Sequence, residues 1–349
     1  MTPLQSTWGW LIAWYLFLAG VGAGAYIVSV LADFLGFKSR LASKIGVALG
    51  APLVLVGTIL LFLDLGQPMG FVYIFNNPSS MITIGSAILT VFIIIGAVHF
   101  GFWIWPFKLL EKAQAARRAL SLLGLVFAFG TAIYTGILLG VVQAIPFWNS
   151  ALVPMLFLIS AVSTGFASVI LGLAIYYSRR TGEEQVHILE SIKSLAKTDA
   201  VLVGAELLAI LFYLAVESSS GPIAYESVQL LVSGALAPVF LGGLVAFGLI
   251  VPLALESYEG FAERKMSSAM LVALSMLSGV LLLAGGLILR QSVLAAGVSE
   301  AVPFMIQTPV YSLNLLDYAM ILAFPILLLL VYGLSRVIPA PKVVTAKKA

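Results

Sequence analysis

Residues 81–118 read MITIGSAILTVFIIIGAVHFGFWIWPFKLLEKAQAARR, and this stretch decides the fold. Its first 25 residues, 81–105, carry no Asp, Glu, Lys or Arg, and its last 11 carry Lys108, Lys112, Arg117 and Arg118. About 20 apolar residues at ~1.5 Å rise cross a hydrocarbon core of ~30 Å, so 81–105 is long enough to span a bilayer as a helix. The cations behind it mark the side that stays in the cytoplasm. Working outward in both directions, the same alternation recurs. Apolar stretches run over 8–32, 45–63, 81–105, 119–142, 151–177, 200–216, 228–255, 269–294 and 317–338. Lys38, Arg40 and Lys44 lie in the first gap, Arg179, Arg180, Lys193 and Lys197 in the fifth, and Arg264 and Lys265 in the seventh. Arg336, Lys342, Lys347 and Lys348 follow the last stretch, and the even-numbered gaps hold no cation. Of 18 Lys and Arg residues only Arg290, inside the eighth stretch, departs from the rule. The pattern predicts an all-α integral membrane protein of nine transmembrane helices, N-terminus outside and C-terminus cytoplasmic.

Composition narrows the class further. Of 349 residues 61% are hydrophobic and 9% charged, with a mean hydropathy of +1.11, unlike any soluble globular domain. Strand-like alternation is absent, which leaves helices as the way to satisfy backbone groups in lipid. The net charge of +3 belongs to the cytoplasmic loops and calls for no nucleic acid. Zero Cys means that this chain ligates no Fe–S cluster. The two His residues, His99 within a span and His187 in a loop, cannot form a bis-His haem site in the bilayer. No metal site is expected. Residues 1–7 lack the basic start of a cleavable signal. The division expected is a membrane domain over 1–316, helices 1–8, and a ninth helix with a basic tail over 317–349.

Ionisable groups in hydrocarbon cost roughly 2.5–3.5 kcal/mol each at mid-bilayer, so each needs a partner or a purpose. His99 and Glu206 each stand six residues from the inner end of their stretches. They form either one inner-side proton path or two separate local hydrogen bonds. Arg290 either snorkels outward, pairs with an outer acid such as Asp64, Glu300 or Asp317, or positions a ligand or partner subunit. Asp64 closes the second stretch on the outside. Tyr15 and Tyr134 stand at one depth, roughly 10–12 Å below the outer surface. Two phenols at that level either bond backbone carbonyls or address the oxygens of a quinone. Trp8, Trp10 and Trp14 read as aromatic-belt anchors. The gap 178–199 reads as an amphipathic surface helix on Val186, Ile188, Leu189 and Ile192. Pro238, Gly242 and Gly243 predict a kink in the seventh span.

Four segments carry a resemblance. They are WGWLIAWYLFLAGVGAGAY in helix 1, LDLGQPMGF…NNPSSMITIG over 63–85, YTGILLGVVQAIPFWNSALVPMLFLISAVSTG over 134–165, and GAELLAILF over 204–212. In this order they resemble the polysulfide reductase/nitrite reductase membrane-subunit family, the NrfD/PsrC family, from residue 8 to about 295. The resemblance implies two four-helix bundles, here with an added C-terminal helix. It implies a quinone-binding anchor in the inner membrane that binds menaquinone or ubiquinone near the outer face. The partners implied are an extracytoplasmic four-cluster ferredoxin-like Fe–S subunit and a molybdopterin or multihaem catalytic subunit, so this chain has no catalytic centre of its own. Tyr134 falls on the family's quinone-bonding tyrosine. A family His falls on Tyr15 and a family Asn on Ile12, so one donor is exchanged for a phenol and one is lost. Asp64 is the candidate proton carrier at the mouth, and quinol oxidation is the expected direction. The alternative reading is a secondary transporter or proton-translocating membrane subunit. The broken seventh helix and Glu206 favour it, and the lack of an internal repeat counts against it.

Overall fold

The computed structural model describes residues 8–34, 40–64, 68–104, 114–179, 182–261 and 267–301. The expected ninth helix, 317–338, and the basic tail lie outside them. Among the described residues every regular element is helical, and eight helices are long and apolar enough to cross a membrane. They are α1 (Trp10–Phe34), α2 (Arg40–Asp64), α3 (Met81–Ile104), α4 (Gln114–Gly140), α5 (Leu152–Tyr177), α6 (Glu183–Glu217), α8 (Pro238–Phe261) and α9 (Ser268–Ala301), with a short α7 (Pro222–Val232) before α8. A 3-10 segment, Pro68–Asn76, links α2 to α3.

α1 is apolar on every side, as suits a helix at the centre of a bundle rather than at its edge. It packs against α2, α4, α5 and α9. Small residues set these approaches. A Cβ on Gly22 would come within 2.6 Å of the Gly50 carbonyl oxygen of α2. One on Gly24 would collide with the Ala161 carbonyl of α5, and one on Gly165 with the Gly24 backbone. Of the small residues singled out by spacing, Gly24 and Gly46 thus serve close backbone contact, as in other membrane helix pairs, while Gly20 makes room for the Arg290 guanidinium and Gly50 for the Tyr26 side chain. α2, α3 and α4 complete the packing on one side of α1, and α5, α6, α8 and α9 pack on one another beyond it.

The described cations of the short connections, Arg40, Arg117, Arg118 and Arg179, share one end of the structure with Lys44, Lys193 and Lys197. This is the cationic end. There Arg117 pairs with Asp33 at 3.3 Å, and Lys197 stands over the Phe261 ring. The opposite end holds the 3-10 segment, the 141–151 connection and α7.

Three boundaries differ from the sequence reading. The amphipathic stretch 183–199 is helical, but it runs without a break into the span behind it, giving the 35-residue α6. Hydropathy starts the span only after Asp199 because it counts that carboxylate as a water-facing group, whereas Asp199 is fully buried. The seventh span is not one kinked helix from 228. α7 ends at Val232, and after a turn through Gly234 a π-helical stretch, Pro238–Ile250, passes into α-helix at Val251. Pro238 has no N–H to give, so it starts an element readily and continues one poorly. α9 runs to Ala301 rather than 294, which moves Arg290 deeper. Trp14 is buried beside Phe17, their ring centroids 5.8 Å apart, and is not a belt anchor.

Candidate functional site

A cavity of ≈ 240 Å³ opens on the flank of the structure, toward the end away from the cations. Trp8 and Ile12 line it from the start of α1, and Thr58, Leu61 and Phe62 from the end of α2. Phe71, Ile74 and Phe75 come from the 3-10 segment, Ile82, Ser86, Leu89 and Thr90 from α3, and Tyr134 and Leu138 from α4. Phe62, Phe71, Phe75 and Ile82 are exposed on their outer sides, so this wall faces the surrounding medium.

The 3-10 segment is held as part of this wall. Thr83 Oγ1 donates to the carbonyls of Ile74 at 2.5 Å and Asn77 at 2.7 Å. Phe71 stacks edge-on against Phe62 at 5.4 Å and Phe75 at 6.2 Å between ring centroids. A reading of this stretch as an interfacial loop agrees with the exposure of Val72 and Tyr73. The sequence did not reveal that its inner aromatics also close a pocket.

Tyr134 is the principal polar group of the lining that is also buried. Its ring lies directly over Gly85 of α3, where an added Cβ would fall inside the ring. Gly85 closes the segment NNPSSMITIG, and its missing side chain is what lets the ring lie flat against α3. Tyr15 is fully buried three residues beyond Ile12 on the same face of α1. Its hydroxyl has no hydrogen-bond partner among the described residues, and it interacts electrostatically with Tyr134. The structure therefore brings Tyr15 and Tyr134 together. Asp64 does not join them: it ends α2, half-buried, and is not part of the cavity lining.

The connection after α4 is pinned across the structure. Trp148 donates from Nε1 to the Val293 carbonyl of α9 at 2.7 Å and packs on Trp8, their ring centroids 5.2 Å apart. Tyr213 of α6 donates to the Phe147 carbonyl. These bonds explain what the aromatic pair in IPFWN does.

His99 and Glu206 are not brought together. His99 Nδ1 lies 2.7 Å from Tyr26 Oη of α1 and its Nε2 3.2 Å from Ser121 Oγ of α4. Glu206 faces Ser160 of α5 and Arg290 of α9. Glu206 is 217 − 206 = 11 residues from the end of α6, as the apolar stretch 200–216 already implied, and Arg290, with its longer helix, is 301 − 290 = 11 from the end of α9. Both therefore lie about 16 Å from those ends.

Arg290 does not snorkel and does not pair with Asp64, while the Glu300 side chain and Asp317 lie outside what the structure describes. Arg290 is fully buried. Nε donates to the Leu16 carbonyl at 3.2 Å, and Nη1 to Ser160 Oγ at 3.0 Å and the Gly286 carbonyl at 2.7 Å. The guanidinium carbon lies 5.4 Å from the Phe157 ring centroid and 6.0 Å from that of Phe17. Burial at mid-depth puts water out of reach of even a long side chain, so the charge is met by protein oxygens instead. Four further buried acids escaped the sequence reading: Asp199, Glu217, Glu256 and Glu259. The last two were read as loop residues beyond the seventh span.

Among the described residues no group of three or more His, Cys, Asp or Glu is arranged to hold a metal ion. The fold and the site together define a multi-pass membrane protein with a lateral apolar pocket beneath a buried tyrosine. The family described as polysulphide reductase, NrfD matches residues 2–302, and the chain belongs to that family. It is 32% identical over 313 residues to the C subunit of polysulfide reductase from Wolinella succinogenes, covering 83% of this chain and 94% of that protein. It is 26% identical to the protein NrfD of Escherichia coli, covering 72% and 84%. The integral membrane subunit of an Hdr-like menaquinol oxidoreductase from Archaeoglobus fulgidus is 25% identical, covering 70% and 61%. The chain is thus a multi-pass cell-membrane protein of a family of oxidoreductase membrane subunits.

Proposed function

We propose that this chain is the quinone-binding membrane anchor of a respiratory oxidoreductase complex, and that the cavity beneath Tyr134 receives the quinone head group. The observation that carries this is one buried phenol in an otherwise largely apolar, laterally open pocket. A dry cavity of about 150 Å³ holds a benzene ring, so ≈ 240 Å³ suits a larger substituted ring. The exposed aromatic wall leaves an exit for an isoprenoid tail toward lipid. Menaquinol or ubiquinol, when bound, supplies two electrons and two protons.

The residues divide the remaining work. Tyr134 presents its hydroxyl to one quinone oxygen. Tyr15 stands one turn deeper than Ile12, its buried hydroxyl available to a second oxygen or to Tyr134 itself. Ile12, Leu61, Phe62 and Leu138 exclude water and hold the ring plane, and none of them offers a hydrogen bond. Asp64 at the end of α2 is the candidate group for taking a released proton to the surface.

The charge asymmetry supports an outside N-terminus, with the cavity in the outer half. The helix contacts support two four-helix bundles, α1–α4 and α5, α6, α8 and α9. An extracytoplasmic Fe–S subunit then docks on the connections near Asp64, Glu217 and Glu226, with a neutral to basic face, and passes electrons to a molybdopterin or multihaem catalytic subunit. Quinol oxidation is the direction proposed. The test is Tyr134→Phe in the complex purified through this chain. Quinol-dependent kcat/KM should fall about 2- to 10-fold, the value of one hydrogen bond, while dye-dependent activity of the catalytic subunit is unchanged. Unchanged quinol turnover would remove Tyr134 from the site.

A further inference from the structure

Four side chains in the pocket lining carry a hydroxyl: Thr58 of α2, Ser86 and Thr90 of α3, and Tyr134 of α4. In an apolar medium an unmet hydroxyl is costly, and a helical serine or threonine ordinarily avoids that cost by donating to the carbonyl one turn back. Thr58 does so, its Oγ1 2.8 Å from the Val54 carbonyl oxygen. Thr90 does so too, 2.7 Å from the Ser86 carbonyl oxygen. Ser121, Ser191 and Ser275 follow the same habit on other helices. Ser86 departs from it. The residue is half-buried, and among the described residues its Oγ makes no hydrogen bond. A lining that had only to be apolar would be served better by alanine at this position.

The placement of Ser86 relative to Tyr134 is the second observation. The Tyr134 ring lies over Gly85 with its hydroxyl end nearest: a Cβ on Gly85 would fall 1.7 Å from Cζ and 2.0 and 2.2 Å from the two Cε atoms. Cζ carries the phenol oxygen, so that oxygen stands at the level of Gly85, and Ser86 is the next residue of α3. Consecutive helical residues point about 100° apart. Leu89 and Ile82 fall at about 40° and 60° within that interval, and both line the pocket. α3 thus presents an apolar floor with a hydroxyl at each edge. A quinone head group is an apolar ring with an oxygen at each of two opposite edges. Tyr15 is not part of the lining, so of the two roles open to it the one through Tyr134 remains.

We propose that Ser86 is the second oxygen-binding group of the pocket. This rests on the reading of the cavity as a quinone site. Tyr134 holds one oxygen of the head group and Ser86 Oγ holds the other, across the floor of Ile82 and Leu89. Both hydroxyls can donate and accept, so the same pair serves the carbonyls of the quinone and the hydroxyls of the quinol.

The test uses the purified full chain in nanodiscs, with 2,3-dimethyl-1,4-naphthoquinone as the probe. Its two carbonyls are equivalent when free, so each hydrogen bond from the protein is read as a C=O stretch moved below its position in protein-free nanodiscs. Affinity is read from quenching of tryptophan fluorescence, since Trp8 lines the pocket. In the wild type both carbonyls should be shifted. Ser86→Ala and Tyr134→Phe should each leave one shifted carbonyl, and the double variant none. Ser86→Ala should weaken binding about 2- to 10-fold, the value of one hydrogen bond, and should melt like the wild type, because its Oγ holds nothing within the protein. A wild-type carbonyl spectrum in Ser86→Ala would overturn the role of Ser86, whatever the melting temperature does. If Tyr134→Phe still moved one band in that case, the quinone site would stand without Ser86. A wild type that neither quenches nor shifts a carbonyl would overturn the quinone reading itself, and this inference with it.

Discussion

Gly85→Ala offers the sharpest check on the pocket. The added Cβ would land inside the Tyr134 ring. Ordinary van der Waals contact begins near 3.4 Å and the built contacts run from 1.7 to 2.2 Å, so the ring must retreat by about 1–2 Å. Overpacking of this kind costs about 1–3 kcal/mol. Replacing a mid-helix glycine by alanine returns about 0.5–1 kcal/mol. The net loss is therefore about 0.5–2 kcal/mol, a modest drop in the melting temperature read from tryptophan fluorescence. The functional effect should be larger. A misplacement of ~1 Å at a positioned group can cost about 100-fold, so quinol-dependent kcat/KM should fall toward that size while dye-dependent activity persists. The double variant isolates the cause. With Tyr134→Ala the space above residue 85 is empty, and Gly85→Ala should then be neutral or stabilising, giving a coupling of about 1–3 kcal/mol between the two sites. Additive effects on melting, or wild-type quinol kinetics in Gly85→Ala, would refute the claim that this glycine sets the ring.

Arg290→Ala should destabilise by about 3–5 kcal/mol, because it leaves Glu206 buried without its cation; adding Glu206→Gln should recover part of that loss in the same melting assay. Gly24→Ala forces a Cβ against the Ala161 carbonyl, and a loss of about 1–3 kcal/mol is expected, with Gly9→Ala, which meets nothing within 4 Å, as the neutral control. Trp148→Phe removes the bond to the Val293 carbonyl and should cost about 0.5–1.5 kcal/mol, the net value of one hydrogen bond to a carbonyl already bonded within its helix. If Trp148→Phe melts like the wild type, the 141–151 connection is not pinned through that bond.

The match between sequence and structure was closest where a single residue property decides the outcome. Runs such as 81–104 cannot be anything but spanning helices, and their ends followed within a few residues. The common depth of Tyr15 and Tyr134 was legible because both are polar residues in apolar helices. Asp199, Glu256 and Glu259 were not legible. Hydropathy places a carboxylate in water unless neighbours are known, and the neighbours here are serines on α5 and α9, distant in sequence. Glu206 and Arg290 were each noticed, but the helix of Arg290 extends beyond its apolar run, so its depth was misjudged and the proximity of the two was missed. Gly85 was seen as part of a family-like segment. Its purpose required knowing which ring lies over it.

The order of charged and uncharged connections and the lengths of the apolar runs determined by themselves that this is a multi-pass helical membrane protein. The lack of Cys determined that it holds no cluster through cysteine. These are one-dimensional facts, because lipid imposes the same demand on every segment regardless of its neighbours. Which helix faces share an interior is a different matter. Side chains of α5, α6, α8 and α9 meet only after the polypeptide has crossed the membrane repeatedly. Only the tertiary structure put Tyr134 over Gly85 at the pocket, and Arg290 opposite Glu206.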